Sequence, residues 1–95
     1  MKAEKAFRLG LVNAVAPHDE LDAAIDELTG RIISSGPEAL NVCKELIDSV
    51  YEMPLEEAKK HTARVIAEVR ASDEGQEGMT AFLEKRKPRW VEPKE

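Results

Sequence analysis

Two breaks, Gly36-Pro37 and Met53-Pro54, divide the sequence into stretches in which apolar residues recur every three or four positions. That spacing places the apolar residues on one face of an α-helix, and glycine followed by proline is typical of one helix ending and the next beginning. The pattern predicts four helices: from Asp19 to about Ser34, from Pro37 to the second break, from Pro54 to Ala71, and from Asp73 onward.

The N-terminal residues fit a fifth, shorter helix that ends near Leu9, with Gly10 as its left-handed cap. Residues 11–16 are rich in β-branched residues and end at Pro17, which indicates a lone strand or an extended connector, since no second strand exists to pair with it. The predicted fold class is all-α: a small bundle of four to five short helices with one short extended segment near residues 11–16.

We expect residues 1–95 to form one domain. Residues 1–17 form a helix and a connector, residues 18–88 form the helical bundle, and the tail 89–95 is expected to fray. Asp19 is a candidate cap for the second helix, and Asp73 with Gln76 resembles a capping box for the last. Each of the last three helices has a predicted apolar face. For the helix that begins at Pro37 it is Ala39, Leu40, Cys43, Leu46, Ile47, Val50 and Tyr51; for the helix from Pro54 it is Leu55, Ala58, Thr62, Val65, Ile66 and Val69. For the last helix it is Met79, Phe82 and Leu83.

Composition excludes several classes of function. With 42% hydrophobic and 35% charged residues the chain is too apolar for disorder, and its net charge of −5 disfavours nucleic-acid or anionic-membrane binding. The single cysteine, Cys43, rules out an internal disulfide and is expected to be a small buried residue. We expect no metal site and no cofactor. Without a transmembrane-length apolar run or a signal peptide, the sequence predicts a cytoplasmic protein with no membrane partner.

Three segments together resemble the C-terminal third of the enoyl-CoA hydratase/isomerase family, the crotonases. The first runs from Ala3 to Pro17 and continues with Glu20-Leu21, and the second is the segment 36–40 with Lys44. The third, residues 72–88, carries the family's Glu-Gly, Ala-Phe and Glu-Lys-Arg followed by proline, here as Glu77, Gly78, Ala81, Phe82, Glu84, Lys85, Arg86 and Pro88. The family usually has aspartate where this chain has Glu74.

The resemblance implies a binding role rather than catalysis for these residues. The family's catalytic glutamates and oxyanion-binding N–H groups lie upstream of the matched region, so no catalytic residue is assigned and the isolated chain is expected to have no hydratase or isomerase activity. The resemblance assigns Phe82 to the wall of the acyl-CoA site and Lys85 to the 3′-phosphate of the nucleotide. Three residues apart on a helix, the two would share one side.

Plainer interpretations stand beside these assignments. Helical spacing with Met79 and Leu83 favours a core position for Phe82, and the cations Lys85, Arg86, Lys87 and Arg89 would also favour the negative end of a helix dipole. We expect His18 to be exposed and His61 to lie on a polar face, neither with a metal-ligand partner. Trp90 is either an anchor against a partner or an exposed aromatic.

Two functional hypotheses follow. The first is the C-terminal helical domain of an acyl-CoA enzyme, which covers one side of the CoA site and joins subunits; its partners would be acyl-CoA in the complete enzyme and an N-terminal core domain or a second copy. The second is a stand-alone helical module that binds another protein. Both imply self-association, because a small helical domain cut from its neighbours exposes apolar surface.

Overall fold

The computed structural model describes residues 1–91, and the only regular elements among them are helices. In chain order these are α1 (Ala3–Arg8), a 3-10 turn (His18–Glu20), α2 (Leu21–Ile33), α3 (Pro37–Val50), α4 (Leu55–Ala71) and α5 (Asp73–Leu83). The predicted all-α class is therefore confirmed, with both proline breaks at helix boundaries. Within the described residues, no helix is both long and apolar enough to cross a membrane. The chain divides into two compact units, Met1–Arg31 and the residues from Ile32 onward.

In the first unit, α1 ends in the left-handed turn that the sequence predicted. Gly10 has a φ of 75°, and the N–H of Leu11 donates to the carbonyl of Ala6 at 2.9 Å. The N–H of Gly10 also donates to the carbonyl of Phe7 at 3.0 Å. The two bonds satisfy carbonyls of the last turn, and glycine adopts this conformation without a steric penalty. Residues 11–17 form no strand: residues 11–13 bend and residues 14–17 have no regular structure, so the segment is a connector.

The start of α2 differs from the prediction. Asp19 lies inside the 3-10 turn, which is closed by the N–H of Glu20 donating to the carbonyl of Pro17 at 3.0 Å, and α2 begins at Leu21. The apolar residues of α2 recur at helical spacing as predicted, yet none of the helix's residues is buried. About half of each large side chain remains exposed: Leu21, Ile25, Leu28, Ile32 and Ile33.

The second unit is built from α3, α4 and α5, which contact one another pairwise. Ser72 forms the corner between α4 and α5: its hydroxyl accepts a hydrogen bond from the N–H of Gly75 at 3.0 Å and donates to the carbonyl of Val69 at 2.6 Å. The predicted capping box is wrong, because Asp73 is already helical and the extended backbone conformation belongs to Ser72. Gln76 donates to the carbonyl of Arg70 instead.

Glu74 joins α5 to the beginning of α3. Its two carboxylate oxygens accept hydrogen bonds from the N–H groups of Glu38, at 3.0 Å, and Ala39, at 2.9 Å. Because Pro37 has no N–H, the carboxylate satisfies the first free donors of α3 at the positive end of the helix dipole. Gly36 is buried beside it, and a Cβ at this position would lie only 2.7 Å from the Glu74 Cδ.

The apolar faces of α3 and α4 are narrower than predicted. In α3 the residues Cys43, Ile47 and Tyr51 are exposed, so the expectation that Cys43 is buried is wrong. In α4 the same holds for Leu55 and Ile66. The physical reason is that α3 faces α4 through a neighbouring stripe, with Val42 and Leu46 opposite Val65, and no described element covers the adjacent side. The partly buried members of the predicted faces are Ala39, Leu40, Leu46, Val50, Ala58, Thr62, Val65 and Val69.

We predict that Gly36→Ala destabilises the chain by about 1–2 kcal/mol, because the new Cβ displaces the Glu74 carboxylate and leaves two α3 donors without their acceptor. Urea unfolding followed by circular dichroism measures this change. Gly30→Ala is the matched control, since a Cβ there meets no atom within 4 Å. It should leave stability unchanged or raise it by up to ~1 kcal/mol. Equal effects of the two substitutions would contradict the role of Glu74.

Candidate functional site

The inward face of α5 consists of a carboxylate and small residues. Ala81 is 1% exposed and the Glu77 side chain 8%, whereas Phe82 and Leu83 are 82% and 78% exposed. The predicted inward face is therefore wrong for Phe82 and Leu83, whereas Met79 is 36% exposed and lines a groove with Ala39 and Val69. The small residues Gly75, Gly78 and Ala81 lie on the buried side and allow close packing, while Phe82 and Leu83 point outward.

Glu77 is the charged residue buried in this face, and its carboxylate is fully used by the chain segment that follows α5. Arg86 donates to both oxygens, from Nη1 at 2.7 Å and from Nη2 at 3.2 Å. The backbone N–H of Arg89 donates to Oε1 at 3.0 Å, and its Nε lies 3.2 Å from Oε2. A bidentate guanidinium–carboxylate pair of this kind fixes the relative orientation of the two side chains in addition to pairing their charges.

These contacts change the ionisation of both partners. The hydrogen bond from Arg86, with the N–H and the charge of Arg89, outweighs the effect of burial and lowers the pKa of Glu77 from 4.5 to about 2. The same hydrogen bonds to Glu77 and Glu84 raise the pKa of Arg86 above its ordinary value. The pair is therefore charged throughout the physiological pH range.

Lys85 lies at the turn that reverses the chain after α5. Its φ is 57°, the left-handed region, and the turn is closed by the N–H of Arg86 donating to the carbonyl of Ala81 at 3.0 Å. The N–H of Lys85 itself donates to the carbonyl of Phe82 at 3.2 Å, which completes a Schellman motif. Because α5 ends at Leu83, the argument that Phe82 and Lys85 share one side of a helix is wrong. They are linked by this turn instead.

The four cations that follow α5 divide into two kinds. Arg86 and Arg89 are paired with Glu77, and the Arg86 Nε also donates to Glu84 at 2.6 Å. Lys85 and Lys87 are exposed, and within residues 1–91 neither ammonium group forms an ion pair. Lys85 and Lys87 are thus open to an anionic ligand, as is most of the Arg89 guanidinium, whereas Arg86 is held by both oxygens of Glu77.

Trp90 anchors the returning segment within its own unit. The indole N–H donates to the carbonyl of Ser34 at 3.3 Å, and the ring lies so near α5 that a Cβ on Gly78 would be 3.2 Å from Cη2. Trp90 helps to line two grooves of about 270 and 290 Å³. Of the tail that was expected to fray, Trp90 and Val91 are partly buried, and residues 92–95 lie outside the described residues.

The histidines contribute no further site. His61 is partly buried rather than on a polar face: its Nε2 lies 3.3 Å from the Ser49 Oγ in a groove of about 200 Å³ between α3 and α4. His18 is exposed in the 3-10 turn. Among residues 1–91 no three His, Cys, Asp or Glu side chains are grouped so that they could hold a metal ion.

We predict that the stabilisation from Glu77 disappears in acid. Its pKa is lower in the folded than in the unfolded chain, so its contribution is fully present above pH 4.5 and is lost as the pH falls towards about 2. Urea midpoints of the wild type and Glu77→Gln should differ at neutral pH and converge near pH 2. A difference that does not change with pH would contradict this account. Glu84→Gln removes the exposed partner of the same guanidinium and should change the midpoint little.

Comparison with known proteins identifies the family. The model of the enoyl-CoA hydratase/isomerase family matches residues 1–93. The chain is 35% identical over 91 residues to the crotonyl-CoA hydratase of Syntrophomonas wolfei, a match that covers 96% of this chain and 35% of the relative. It is 36% identical over 94 residues to the carnitinyl-CoA dehydratase of Salmonella typhi, with 95% and 36% covered. The chain thus spans about a third of the length of these relatives.

Solved structures agree. A crystal structure from Legionella pneumophila, described as a putative enoyl-CoA hydratase/isomerase (crotonase), matches with a TM-score of 0.86 and 38% identity over 95% of this chain and 35% of that one. An enoyl-CoA hydratase from Shewanella pealeana gives 0.85 and 35%, over 95% and 34%. The sequence match and the structural match agree, and the chain belongs to the enoyl-CoA hydratase/isomerase family, the crotonases.

Proposed function

We propose that this chain forms the C-terminal helical part of an acyl-CoA hydratase or isomerase, where it covers one side of the CoA site and contributes to contacts with the rest of the enzyme or a second subunit. The observation that carries the proposal is the exposed pair formed by Phe82 and Lys85 at the end of α5. An aromatic ring and an exposed ammonium group that forms no ion pair within residues 1–91, joined by one tight turn, suit a ligand with an apolar part and a phosphate.

The exposure of Phe82 supports its role in the acyl-CoA site. A phenyl ring that is 82% exposed contributes little to the packing of its own unit, and it stands next to the equally exposed Leu83. Burial of apolar surface of this kind against a ligand or another protein surface is favourable. The core interpretation of Phe82 therefore loses its basis, and a contact outside the described chain takes its place.

The division of the cations supports Lys85 as the phosphate-binding residue. Arg86, the next residue, is engaged by both oxygens of Glu77, whereas the Lys85 ammonium group forms no ion pair among residues 1–91. A lysine supplies a compact charge on a flexible stem, which suits a terminal phosphate. The 3′-phosphate of the CoA nucleotide is the group that we assign to it.

Exposed apolar surface supports the role in assembly. In the second unit, the large exposed side chains include Ile47, Tyr51, Leu55 and Ile66 in addition to Phe82 and Leu83. Another protein segment that covered these side chains would bury apolar surface, which is favourable. We assign it to the remaining part of the enzyme or to a second copy of the chain.

We predict that the chain binds adenosine 3′,5′-bisphosphate better than adenosine 5′-monophosphate and that Lys85→Gln reduces this preference roughly fivefold, since an exposed ion pair contributes up to about 1 kcal/mol. Titrations followed by 1H–15N correlation spectra measure such weak binding. Lys60→Gln is the matched control, because it removes an exposed lysine of α4. An equal loss in both variants, or none in Lys85→Gln, would refute the assignment of Lys85.

We also predict that the wild-type chain self-associates at roughly tens of micromolar and that Phe82→Ser with Leu83→Ser weakens the association, because it removes exposed apolar area. Multi-angle light scattering over a concentration series provides the measurement. A wild-type chain that stays monomeric throughout would count against exposed apolar surface as an assembly interface.

A further inference from the structure

We propose that Glu77 is a positioning residue for the phosphate-binding cation: its carboxylate holds the Arg86 guanidinium and the backbone of Arg89, and so fixes the turn at Lys85 that lies before them. This inference rests on the proposed role of Lys85 and adds a residue that does not itself touch the ligand. Three observations carry it, namely the contacts around Lys85, its backbone conformation, and the division of the cations.

The contacts enclose Lys85 from both directions along the chain. Arg86, the next residue, is held through two hydrogen bonds to Glu77, and Arg89 is held through its backbone N–H and its Nε. On the other side, Glu84 accepts a hydrogen bond from the Arg86 Nε. A single buried carboxylate therefore determines where the backbone on the C-terminal side of Lys85 lies, although it makes no contact with the lysine side chain.

The backbone of Lys85 needs this support. A lysine with a φ of 57° has its Cβ close to its own carbonyl oxygen, and residues other than glycine keep this conformation when their surroundings enforce it. The Schellman hydrogen bonds supply part of the enforcement. The ion pairs of Glu77 supply the rest, because they prevent Arg86 and Arg89 from moving with a relaxing turn.

The third observation concerns competition for the phosphate. Lys85, Arg86, Lys87 and Arg89 place four cations within five residues, and a guanidinium binds phosphate in a two-pronged manner. Arg86, the residue next to Lys85, is engaged by both oxygens of Glu77, whereas the Arg89 guanidinium meets Glu77 through Nε alone and the Arg89 side chain is 81% exposed. Glu77 thus prevents the guanidinium nearest to Lys85 from competing with the lysine for the phosphate.

The sign of the effect separates this inference from simple electrostatics. Removal of the Glu77 charge leaves the segment more positive and frees two arginines, so an effect through space would tighten phosphate binding. Positioning predicts the opposite, since the turn at Lys85 then relaxes and the ammonium group is less often in place. The two mechanisms therefore give changes of opposite direction in one variant.

The experiment uses the full chain, with adenosine 3′,5′-bisphosphate as the probe and adenosine 5′-monophosphate as its reference, both titrated by NMR. The quantity measured is the ratio of the two dissociation constants, because it gives the contribution of the 3′-phosphate to binding. We expect E77Q to reduce the preference for the bisphosphate about threefold or more, approaching the effect of Lys85→Gln. In the double variant E77Q/Lys85→Gln the preference should fall no further, because Glu77 acts through Lys85.

Two further variants keep the inference testable if E77Q does not fold. Arg86→Lys retains the charge and loses the two-pronged contact, and we expect it to reduce the preference in the same direction. Glu84→Gln is the control, since it removes an exposed acid from the same cluster while Glu77 keeps both arginines. We expect it to leave the preference within about a factor of two of the wild type.

The outcomes distinguish the inference from the function on which it rests. If the wild type shows no preference for the bisphosphate, or if Lys85→Gln leaves that preference unchanged, the proposed role of Lys85 is overturned and this inference with it. If Lys85→Gln abolishes the preference while folded E77Q and Arg86→Lys keep or increase it, the proposed function stands and the positioning role is overturned. Additive losses in the double variant would likewise overturn it, since they show an effect that does not act through Lys85.

Discussion

The pairing of one buried carboxylate with two arginines determines how the chain continues after its last helix. Glu77 holds Arg86 by both oxygens and Arg89 by its backbone and side chain, which brings the segment after α5 back along the helix. The position of Trp90 against Gly78 and its hydrogen bond to Ser34 depend on that return. The left-handed turn at Lys85 lies inside the same set of contacts.

A second carboxylate of α5 fixes the other side of the unit. Glu74, three residues before Glu77, satisfies the first free donors of α3 and approaches them over the bare backbone of Gly36. The buried side of α5 carries small residues near these two acids. Hydrogen bonds and ion pairs of the acids therefore hold α5 in place, a role that large apolar side chains have in most small domains. The large apolar residues are left on the outer surface, where they are available to a ligand or another protein segment.

Much of the fold could be predicted from the sequence because its signals are local. Gly10, Gly36-Pro37 and Met53-Pro54 end or begin helices through the conformational limits of glycine and proline, and the structure has boundaries at each of them. The buried faces could not be predicted as well. Periodicity shows which residues share a helix face, but burial depends on which neighbours are present, and Phe82, Cys43 and Ile47 lie where no described element covers them.

The candidate site was predictable only in part. The resemblance to the crotonases brought Phe82 and Lys85 to attention, but the helical spacing used to relate them fails because α5 ends before Lys85. Glu77 was visible only as a member of a motif, since its partners lie nine and twelve residues away across a turn that periodicity does not reveal. An acidic residue within a small-residue helix face, followed beyond the helix end by arginines, is the signal that could have identified it.

The most direct test of this account is the titration of the Glu77 side-chain carboxyl carbon by NMR in the folded chain. If Arg86 and Arg89 hold the carboxylate as described, its titration midpoint lies near 2, well below the ordinary 4.5. A midpoint close to the ordinary value would contradict the account, because it would mean that the carboxylate is not engaged by the arginines and does not fix the turn at Lys85.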